Sequence, residues 1–332
     1  MRSHSGNSIS FAVGITVAVV FLYLALRDTA PAEIAAGLAQ SKIAFIPLVG
    51  GALMLQFWFK AMRWELLLRP FARTTTGKVF PATVVGYLAN LVFPLYLGEI
   101  VRVYILARQL ELRYSSVLAT AVLERFFDFL SVLFFVGVVL IVDPQVPPAL
   151  QMVGNVAGGV SVVLLVLLAV FLRWTKPLIQ LTIHCTAFLP ASVRQQIAEQ
   201  IELAAAGLQS IRSVQLLPAI AASSLLQWGS MGVCIYLGML GTGIDVPLSA
   251  GFVVLALTVM GVTLPSSPGF FGTIQLCFTL GLAPYGIDVS RAFAASLFFH
   301  LTIYATGWGS GLYFLRRAGL SIASLRRASI ET

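Results

Sequence analysis

Charge is what this sequence lacks most. Only 10% of its 332 residues are Asp, Glu, Lys or Arg, whereas soluble globular proteins carry about 25%. Hydrophobic residues make up 58% of the chain, and apolar stretches of about 20 residues, long enough to cross a bilayer, recur along it. So few charges cannot cover a folded domain with a polar surface. We therefore expect an all-α polytopic membrane protein without a soluble domain.

Cysteine and histidine are also scarce, with three of each. The positions of Cys185, Cys234 and Cys277 show no spacing typical of a zinc site or a disulfide framework. The histidines are scattered too, and we expect His300 to be a packed, hydrogen-bonded residue. The glycine-rich phosphate loop of ATPases is also missing. The sequence therefore predicts neither a metal nor a cofactor.

The basic residues are distributed unevenly, and this pattern predicts the orientation. The loops 141–148, 241–247 and 283–290 contain no Lys or Arg. Most basic residues lie in the segments 60–78, 102–113, 173–212 and 316–327. Cytoplasmic loops are enriched in Lys and Arg, so these segments should be cytoplasmic. The net charge of +8 thus indicates orientation and attraction to anionic lipid headgroups, not nucleic-acid binding. Both termini are expected to be cytoplasmic.

This orientation predicts six spanning helices, at residues 9–27, 43–62, 116–142, 149–172, 216–240 and 291–315. Two further apolar segments, 80–112 and 250–282, begin and end on the same face. Proline removes a backbone donor and glycine permits a turn, so both segments should be broken near the middle. We interpret them as re-entrant hairpins or discontinuous helices, with turns at Pro94 and Gly98 in the first and at Pro265, Pro268, Gly269 and Gly272 in the second.

The two breaks lie about half the chain apart, which suggests an internal repeat. Residues 1–145 give the order helix, helix, re-entrant hairpin, helix, and residues 146–316 repeat it from the opposite face. Such inverted repeats are common in secondary transporters. The second repeat carries a cytoplasmic insert at 173–213, expected to be an amphipathic helix that lies on the membrane surface or packs on the protein. Residues 317–332 form a basic cytoplasmic tail.

Ionisable residues inside transmembrane segments are costly, and by default they are candidate functional residues. Glu124 and Asp128 share a face of one predicted helix, and Arg125 can reach Asp128. These three residues could form a polar wall for a lipid headgroup or a proton relay. They could equally form an internal salt bridge that only locks helices together.

Arg102 is the candidate of greatest interest, because it lies one turn beyond the break at Pro94 and Gly98. A guanidinium near a helix N-terminus needs an anionic partner, either Glu99 or a lipid phosphate, which arginine binds in bidentate fashion. Arg63 could belong to the same site, or it could be an interfacial anchor beside Trp58 and Trp64.

Four motifs together resemble the lysylphosphatidylglycerol synthase/flippase transmembrane-domain family over about residues 10–315. They are "RWELLL" at 63–68, N-x3-P-x3-GE-x2-R at 90–102, "LERFFD" at 123–128 and "LPSSPGFFGT" at 264–273. The resemblance implies a multi-pass protein of the bacterial cytoplasmic (inner) membrane that moves a lipid with an anionic or modified headgroup between leaflets.

Two departures from the family pattern affect the expected function. Larger relatives carry a soluble synthase domain, and archaeal relatives carry a glycosyltransferase domain; this sequence ends soon after its last predicted helix, so we expect neither activity. Gln275 stands where many relatives have Glu. The candidate substrate-binding residues are Arg63, Asn90, Glu99, Arg102, Glu124, Arg125, Asp128 and Gln275.

The sequence thus favours a lipid translocase, without enzyme activity, for a phosphate-bearing lipid. A transporter of a polyprenyl-phosphate carrier presents the same anionic group on a longer tail. A membrane-embedded lipid enzyme would have only the Glu124 and Asp128 pair for its chemistry, and a non-transporting scaffold for an envelope-lipid enzyme is the remaining alternative. The expected partners are membrane lipids with anionic headgroups and no nucleic acid; oligomerisation is left open.

Overall fold

The computed structural model describes residues 16–93, 97–143, 145–146, five isolated positions between 152 and 163, 215–262 and 268–319. These residues are all-helical and contain no strand, as the composition predicts. The helices described from end to end are α1 Thr16–Leu26, α2 Pro31–Ala39, α3 Phe45–Leu68, α4 Thr76–Val92, α5 Leu97–Gln109, α6 Tyr114–Val142, α7 Leu217–Gly241, α8 Leu248–Val262, α9 Thr273–Leu282 and α10 Val289–Arg317.

Helices α3, α6 and α7 are long and apolar enough to cross a membrane. The predicted bounds of α6, α7 and α10 agree with the structure to within two residues. Helix α3 continues past the predicted end at residue 62, because the charges at Arg63 and Glu65 have partners within the protein and do not end the helix. The short helix α2 was not predicted. The predicted span 149–172 and the insert 173–213 lie outside the described residues, apart from isolated positions.

Both segments predicted to be broken are pairs of short helices. Helix α4 packs against α5, and α8 packs against α9. Phe93 leaves α4 with an extended backbone, and the chain resumes its helical path at α5. In the second pair, Gly269 and Gly272 have φ angles of +74° and +83°, which glycine adopts without the steric penalty of a side chain. Pro94 and Pro265 lie outside the described residues.

Asn90 and Gly98, two residues of the first motif, close the break between α4 and α5. The Gly98 N–H group donates a hydrogen bond of 2.8 Å to the side-chain oxygen of Asn90. A Cβ atom at Gly98 would collide with the carbonyl oxygen of Gly86, so glycine is required where the two helices approach each other. This contact fixes where α5 begins and therefore where its first-turn residues lie.

Helices α3 and α7 form the central pair of the fold. One apolar cluster joins them to α8, α9 and α10 through residues such as Phe57, Ile235 and Phe299. A second cluster joins α3 to α4, α5 and α6 through residues such as Trp64, Leu106 and Val117. The turn 268–270 packs against α4, so the two broken pairs are in contact. Four helices, α3, α5, α6 and α7, surround the charged residues described below.

At one end of the molecule, Asp143 ties together loops that were predicted to share the outer face. Its carboxylate accepts hydrogen bonds from the Ser249 and Tyr285 hydroxyls and from the Gln145 N–H group. Burial raises the pKa of this carboxyl, but these three hydrogen bonds favour the charged form and hold the pKa below its usual range. Residues of the predicted outer loops 141–148 and 283–290 therefore lie side by side.

Candidate functional site

Glu124 of α6 lies at the centre of a buried ion network and bridges two arginines. One of its carboxylate oxygens accepts from Arg63 Nη2 at 2.8 Å, and the other accepts from Arg102 Nη2 at 2.6 Å. The same Arg63 nitrogen is 2.6 Å from Asp128 Oδ1. The side chains of Arg63 and Glu124 are 0% exposed. Three helices, α3, α5 and α6, are thus joined by fully buried ion pairs.

Helix α7 completes this network with polar side chains. Asp128 Oδ1 accepts hydrogen bonds from Gln227 Nε2 at 3.2 Å and from the Trp228 indole at 2.9 Å. Arg63 Nη1 donates to the Ser224 hydroxyl at 3.2 Å. The negative charge of Asp128 is therefore held by donors from two helices besides its own, which is how buried charges are normally stabilised.

The network becomes more exposed towards Glu99, in the first turn of α5. Its side chain is 27% exposed and forms ion pairs with three cations, Arg102, Lys60 at 3.5 Å and Arg125 at 3.4 Å. Arg125 is 51% exposed and also lies 3.3 Å from Asp128 Oδ2. Glu99 is consequently the acidic residue of the network that solvent, or a ligand, can reach most easily.

Trp64 supports the Arg102 guanidinium from one side. The guanidinium carbon lies 4.4 Å from the centre of a Trp64 ring, a cation–π contact, and the Trp64 indole donates to the Thr120 hydroxyl at 2.9 Å. Arg63 and Trp64 are completely buried. The alternative that Arg63 is an interfacial anchor is therefore wrong, because its partners lie inside the helix bundle.

A cavity of about 90 Å³ lies beside the network, at the break between α4 and α5. Its polar lining includes Gln56, Lys60, Asn90, Glu99 and Arg102. Arg102 Nη1 and Gln56 Oε1 are buried and have no hydrogen-bond partner among the described residues. A buried polar atom without a partner costs about 1–3 kcal/mol. The cavity is therefore suited to a polar group that accepts a hydrogen bond from Arg102 Nη1. The same group can donate a hydrogen bond to Gln56 Oε1, directly or through a water molecule.

Stability alone does not account for the buried ion network. Buried ion pairs gain Coulomb energy, but desolvation offsets most of it, and well-packed apolar residues often give equal or greater stability. No group of three or more His, Cys, Asp or Glu in the described part of the chain is placed to hold a metal ion. Ionisable residues in a membrane segment are by default candidate functional residues, so the network is the candidate site of this chain.

The second break contains a separate chain of hydrogen bonds. The Gly272 N–H group donates to Gln275 Oε1 at 2.8 Å, and Gln275 Nε2 lies 3.0 Å from His300 Nδ1. His300 Nε2 lies 2.9 Å from the Gly269 carbonyl oxygen, which can only accept. His300 Nε2 must therefore carry the proton, and His300 Nδ1 accepts from Gln275. The hydrogen bonds of Gln275 hold the turn to α10, and none within the described residues reaches the ion network.

Residues 11–311 match the family described as the lysylphosphatidylglycerol synthase TM region. The chain belongs to this family. Membership accords with the apolar helices and with a role related to membrane lipids.

A similar curated protein is the glycosyltransferase AglD of Haloferax volcanii, which is 22% identical over 362 aligned residues. The alignment covers 100% of this chain but 58% of the relative, so the chain spans little more than half the relative's length. No solved structure matches the chain significantly.

The structure brings most of the predicted site residues of this family member together. The network contains six of them, Arg63, Glu99, Arg102, Glu124, Arg125 and Asp128, and Asn90 lines the adjacent cavity. Gln275 lies apart, in the turn of the second pair. The sequence analysis missed Lys60 and Gln56. Lys60 could have been found, because it lies three residues before Arg63 and thus on the same side of α3.

Proposed function

We propose that the protein is a lipid translocase that moves a phosphate-bearing lipid between the leaflets of a bacterial cytoplasmic membrane. The observation that carries the proposal is the buried Arg102 Nη1 atom, which has no hydrogen-bond partner among the described residues and lines a polar cavity with Lys60 at a helix break. Family membership supports a lipid as the ligand. A phosphate oxygen in this cavity would accept from both cations.

The proposed transport architecture is an inverted repeat of six spanning helices and two re-entrant pairs. Residues 1–145 and 146–316 would form the two repeats, with both termini in the cytoplasm. The packing of α4 on α5 and of α8 on α9, together with the contact between turn 268–270 and α4, supports this architecture. Irregular backbone at membrane depth is tolerated where it lines a cavity, and transporters bind their substrates at such breaks.

In this proposal the network has a fixed part and an exchangeable part. Arg63, Glu124 and Asp128 form the fixed part, since each is almost completely buried and held by more than one partner. Glu99 is the exchangeable part, because it is the most exposed acid and pairs with Lys60, Arg102 and Arg125. An incoming phosphate would displace Glu99 from these cations, and Glu99 would take its place again when the lipid leaves.

Under this assignment Glu124 and Asp128 are structural counter-ions and do not relay protons. Both carboxylates face arginines at 2.6–2.8 Å, which stabilises their charged forms. The energy source would then be the membrane potential or the lipid gradient. A pH profile of transport that is lost in Asp128→Asn while the protein stays folded would support a relay instead.

A second candidate is a membrane scaffold that assists an envelope-lipid or sugar-transfer enzyme without moving lipid. It is favoured by the relative named as a glycosyltransferase, whose length exceeds the matched region. A polyprenyl-phosphate carrier would be a ligand suited to either role, because it presents the same phosphate on a longer tail.

Reconstitution in liposomes separates these functions. Each liposome preparation contains one fluorescent lipid in both leaflets: phosphatidylglycerol, phosphatidic acid, a polyprenyl phosphate or phosphatidylcholine. A membrane-impermeant quencher reports the fraction of this lipid that reaches the outer leaflet. The proposal predicts faster exchange of anionic lipids than in protein-free liposomes, with phosphatidylcholine slower. If only the polyprenyl phosphate exchanges, the carrier alternative is correct. If no lipid exchanges faster, the translocase proposal is wrong and the scaffold is favoured.

A further inference from the structure

A second polar site lies at the opposite end of the molecule from Asp143, between α4, α5 and α10. It is an open cleft of about 860 Å³. Three basic residues line it, Lys78 from α4, Arg108 from α5 and Arg317 from α10. Each lies in the first or last turn of its helix. We call this feature the basic cleft.

The charges of the basic cleft have no acidic partner in the part of the chain that the structure describes. No carboxylate among the described residues lies within ion-pair distance of Lys78, Arg108 or Arg317. The two arginines instead donate to tyrosine hydroxyls one helical turn earlier, Tyr104 at 3.3 Å and Tyr313 at 3.2 Å. Three cations from three helices thus line one open volume without a counter-ion from the described helices, which favours an anionic ligand.

Most of the remaining lining is apolar or aromatic, and Gln109 is a further polar residue in it. Tyr104 and Ile105 line the cleft from α5, Phe314 from α10 and Pro81 from α4, and we call these four residues the aromatic wall. A free phosphate ion has no apolar surface to bury against this wall, whereas the glycerol and upper acyl carbons of a phospholipid can pack against it. Helix ends with basic and aromatic side chains are also where lipid headgroups lie.

We propose that the basic cleft binds the phosphate of an anionic phospholipid from the adjacent leaflet. Lys78, Arg108 and Arg317 contact the phosphate, and the aromatic wall contacts the glycerol region. This site is separate from the cavity at Lys60 and Arg102, and its binding does not require that the protein transports lipid. Both halves of the chain contribute to it, so the bound lipid also stabilises the packing of α10 against the first broken pair.

The test is a binding titration of the purified full chain in neutral detergent, followed by native mass spectrometry. The probes are dioctanoyl phosphatidylglycerol, dioctanoyl phosphatidylcholine and inorganic phosphate. The inference predicts that phosphatidylglycerol binds more tightly than the other two. Each of Lys78→Gln, Arg108→Gln and Arg317→Gln should weaken phosphatidylglycerol binding about fivefold, and the Arg108 and Arg317 double variant about 25-fold. These residues are exposed, and unchanged melting temperatures will show that the variants are folded.

Arg113→Gln is the matched control, because Arg113 is exposed near the same end of the molecule but does not line the cleft. It should bind phosphatidylglycerol as the wild type does. Wild-type affinity in the double variant would overturn the inference. Inorganic phosphate that binds as tightly as phosphatidylglycerol would show a free-phosphate site and overturn the lipid assignment. Loss of binding in Lys60→Gln alone would place the lipid in the cavity.

Discussion

Glu124 is the residue on which the buried network depends. It uses both carboxylate oxygens, one for Arg63 and one for Arg102, and it is completely buried. An amide at this position keeps the shape but presents an NH₂ group to one of the two guanidiniums, so two donors would face each other. The two buried arginines would then have only Asp128 and Glu99 as counter-ions, and the buried network would gain net positive charge.

Glu124→Gln should lower the free energy of unfolding by about 3–5 kcal/mol, the usual effect of removing one partner from a buried pair. The measurement is thermal or denaturant unfolding in detergent. Asp28→Asn is the matched control, since Asp28 pairs with Arg27 at the surface, where an ion pair contributes at most about 1 kcal/mol. Equal, small effects of the two substitutions would show that the network is not a buried one.

Gln275 offers a test of the proton position on His300. In Gln275→Glu the carboxylate still accepts from Gly272, but it faces His300 Nδ1, which is also an acceptor. Uptake of a proton by this pair restores a donor, so the folded variant binds a proton more tightly than the unfolded chain. The stability of the variant, relative to wild type, should therefore be highest at low pH and fall as the pH rises.

Melting temperatures of wild type, Gln275→Glu and Gln275→Met at pH 5 and pH 8 check this expectation. The methionine variant removes the hydrogen bonds at both pH values and should lose about 1–3 kcal/mol without a change with pH. If the glutamate variant behaves like the methionine variant at both values, His300 Nδ1 is not the acceptor that the geometry assigns.

At the scale of single elements, the turn before α9 depends on Gly269. Its φ of +74° disfavours any L side chain, and an added Cβ would overlap the Tyr304 hydroxyl. Gly269→Ala should therefore destabilise the protein by more than about 1 kcal/mol. Gly309→Ala, within α10 and with open space around its Cβ position, should be neutral or stabilising by up to about 1 kcal/mol. A melting temperature of Gly269→Ala at or above wild type would contradict the described turn.

The positions of several helices and of both breaks were predictable from the sequence, but the ion pairs between side chains of different helices were not. Hydrophobic length and the prolines and glycines located α6, α7, α10 and both breaks, because these signals are local. Arg63 and Glu124 are 61 residues apart, and nothing local in the sequence indicates that one neutralises the other. The end of α3 was misplaced for this reason: Arg63 resembles an interfacial charge until its partners are known. Lys60 was overlooked because it stands beside aromatic residues typical of a helix end.

For the whole molecule, the predicted orientation can be tested by cysteine labelling in intact cells. In a Cys185→Ser background, Gln145→Cys and Ala283→Cys should react with a membrane-impermeant maleimide. Ala318→Cys and Gln195→Cys should react only after lysis, because their segments carry the basic residues that remain cytoplasmic. Labelling of either of these two in intact cells would contradict the inverted repeat.

The two native cysteines that remain in the Cys185→Ser background should not react with the reagent. Cys234 and Cys277 are buried, so they are protected from the reagent in the folded protein. The contacts of Asp143 with Ser249 and Tyr285 already place Gln145 and Ala283 at one end of the molecule. The labelling decides which side of the membrane that end faces.

The central claim is that the cavity at the first helix break binds the phosphate of a lipid during its movement between leaflets. Lys60 is the best residue for testing this claim, because it lines the cavity and its one ion pair within the described residues is the 3.5 Å pair with Glu99. Its loss should therefore spare the fold. Arg73→Gln, which removes an exposed cation elsewhere, is the control.

The decisive measurement is the initial rate at which fluorescent phosphatidylglycerol exchanges between leaflets of liposomes that contain equal amounts of folded wild type, Lys60→Gln or Arg73→Gln. If the cavity binds the lipid phosphate, wild type and Arg73→Gln will exchange the lipid well above protein-free liposomes, while Lys60→Gln will be slower by about tenfold or more, as expected for loss of one charge-assisted contact. A Lys60→Gln rate equal to wild type, or a wild-type rate no higher than in protein-free liposomes, would contradict the central claim.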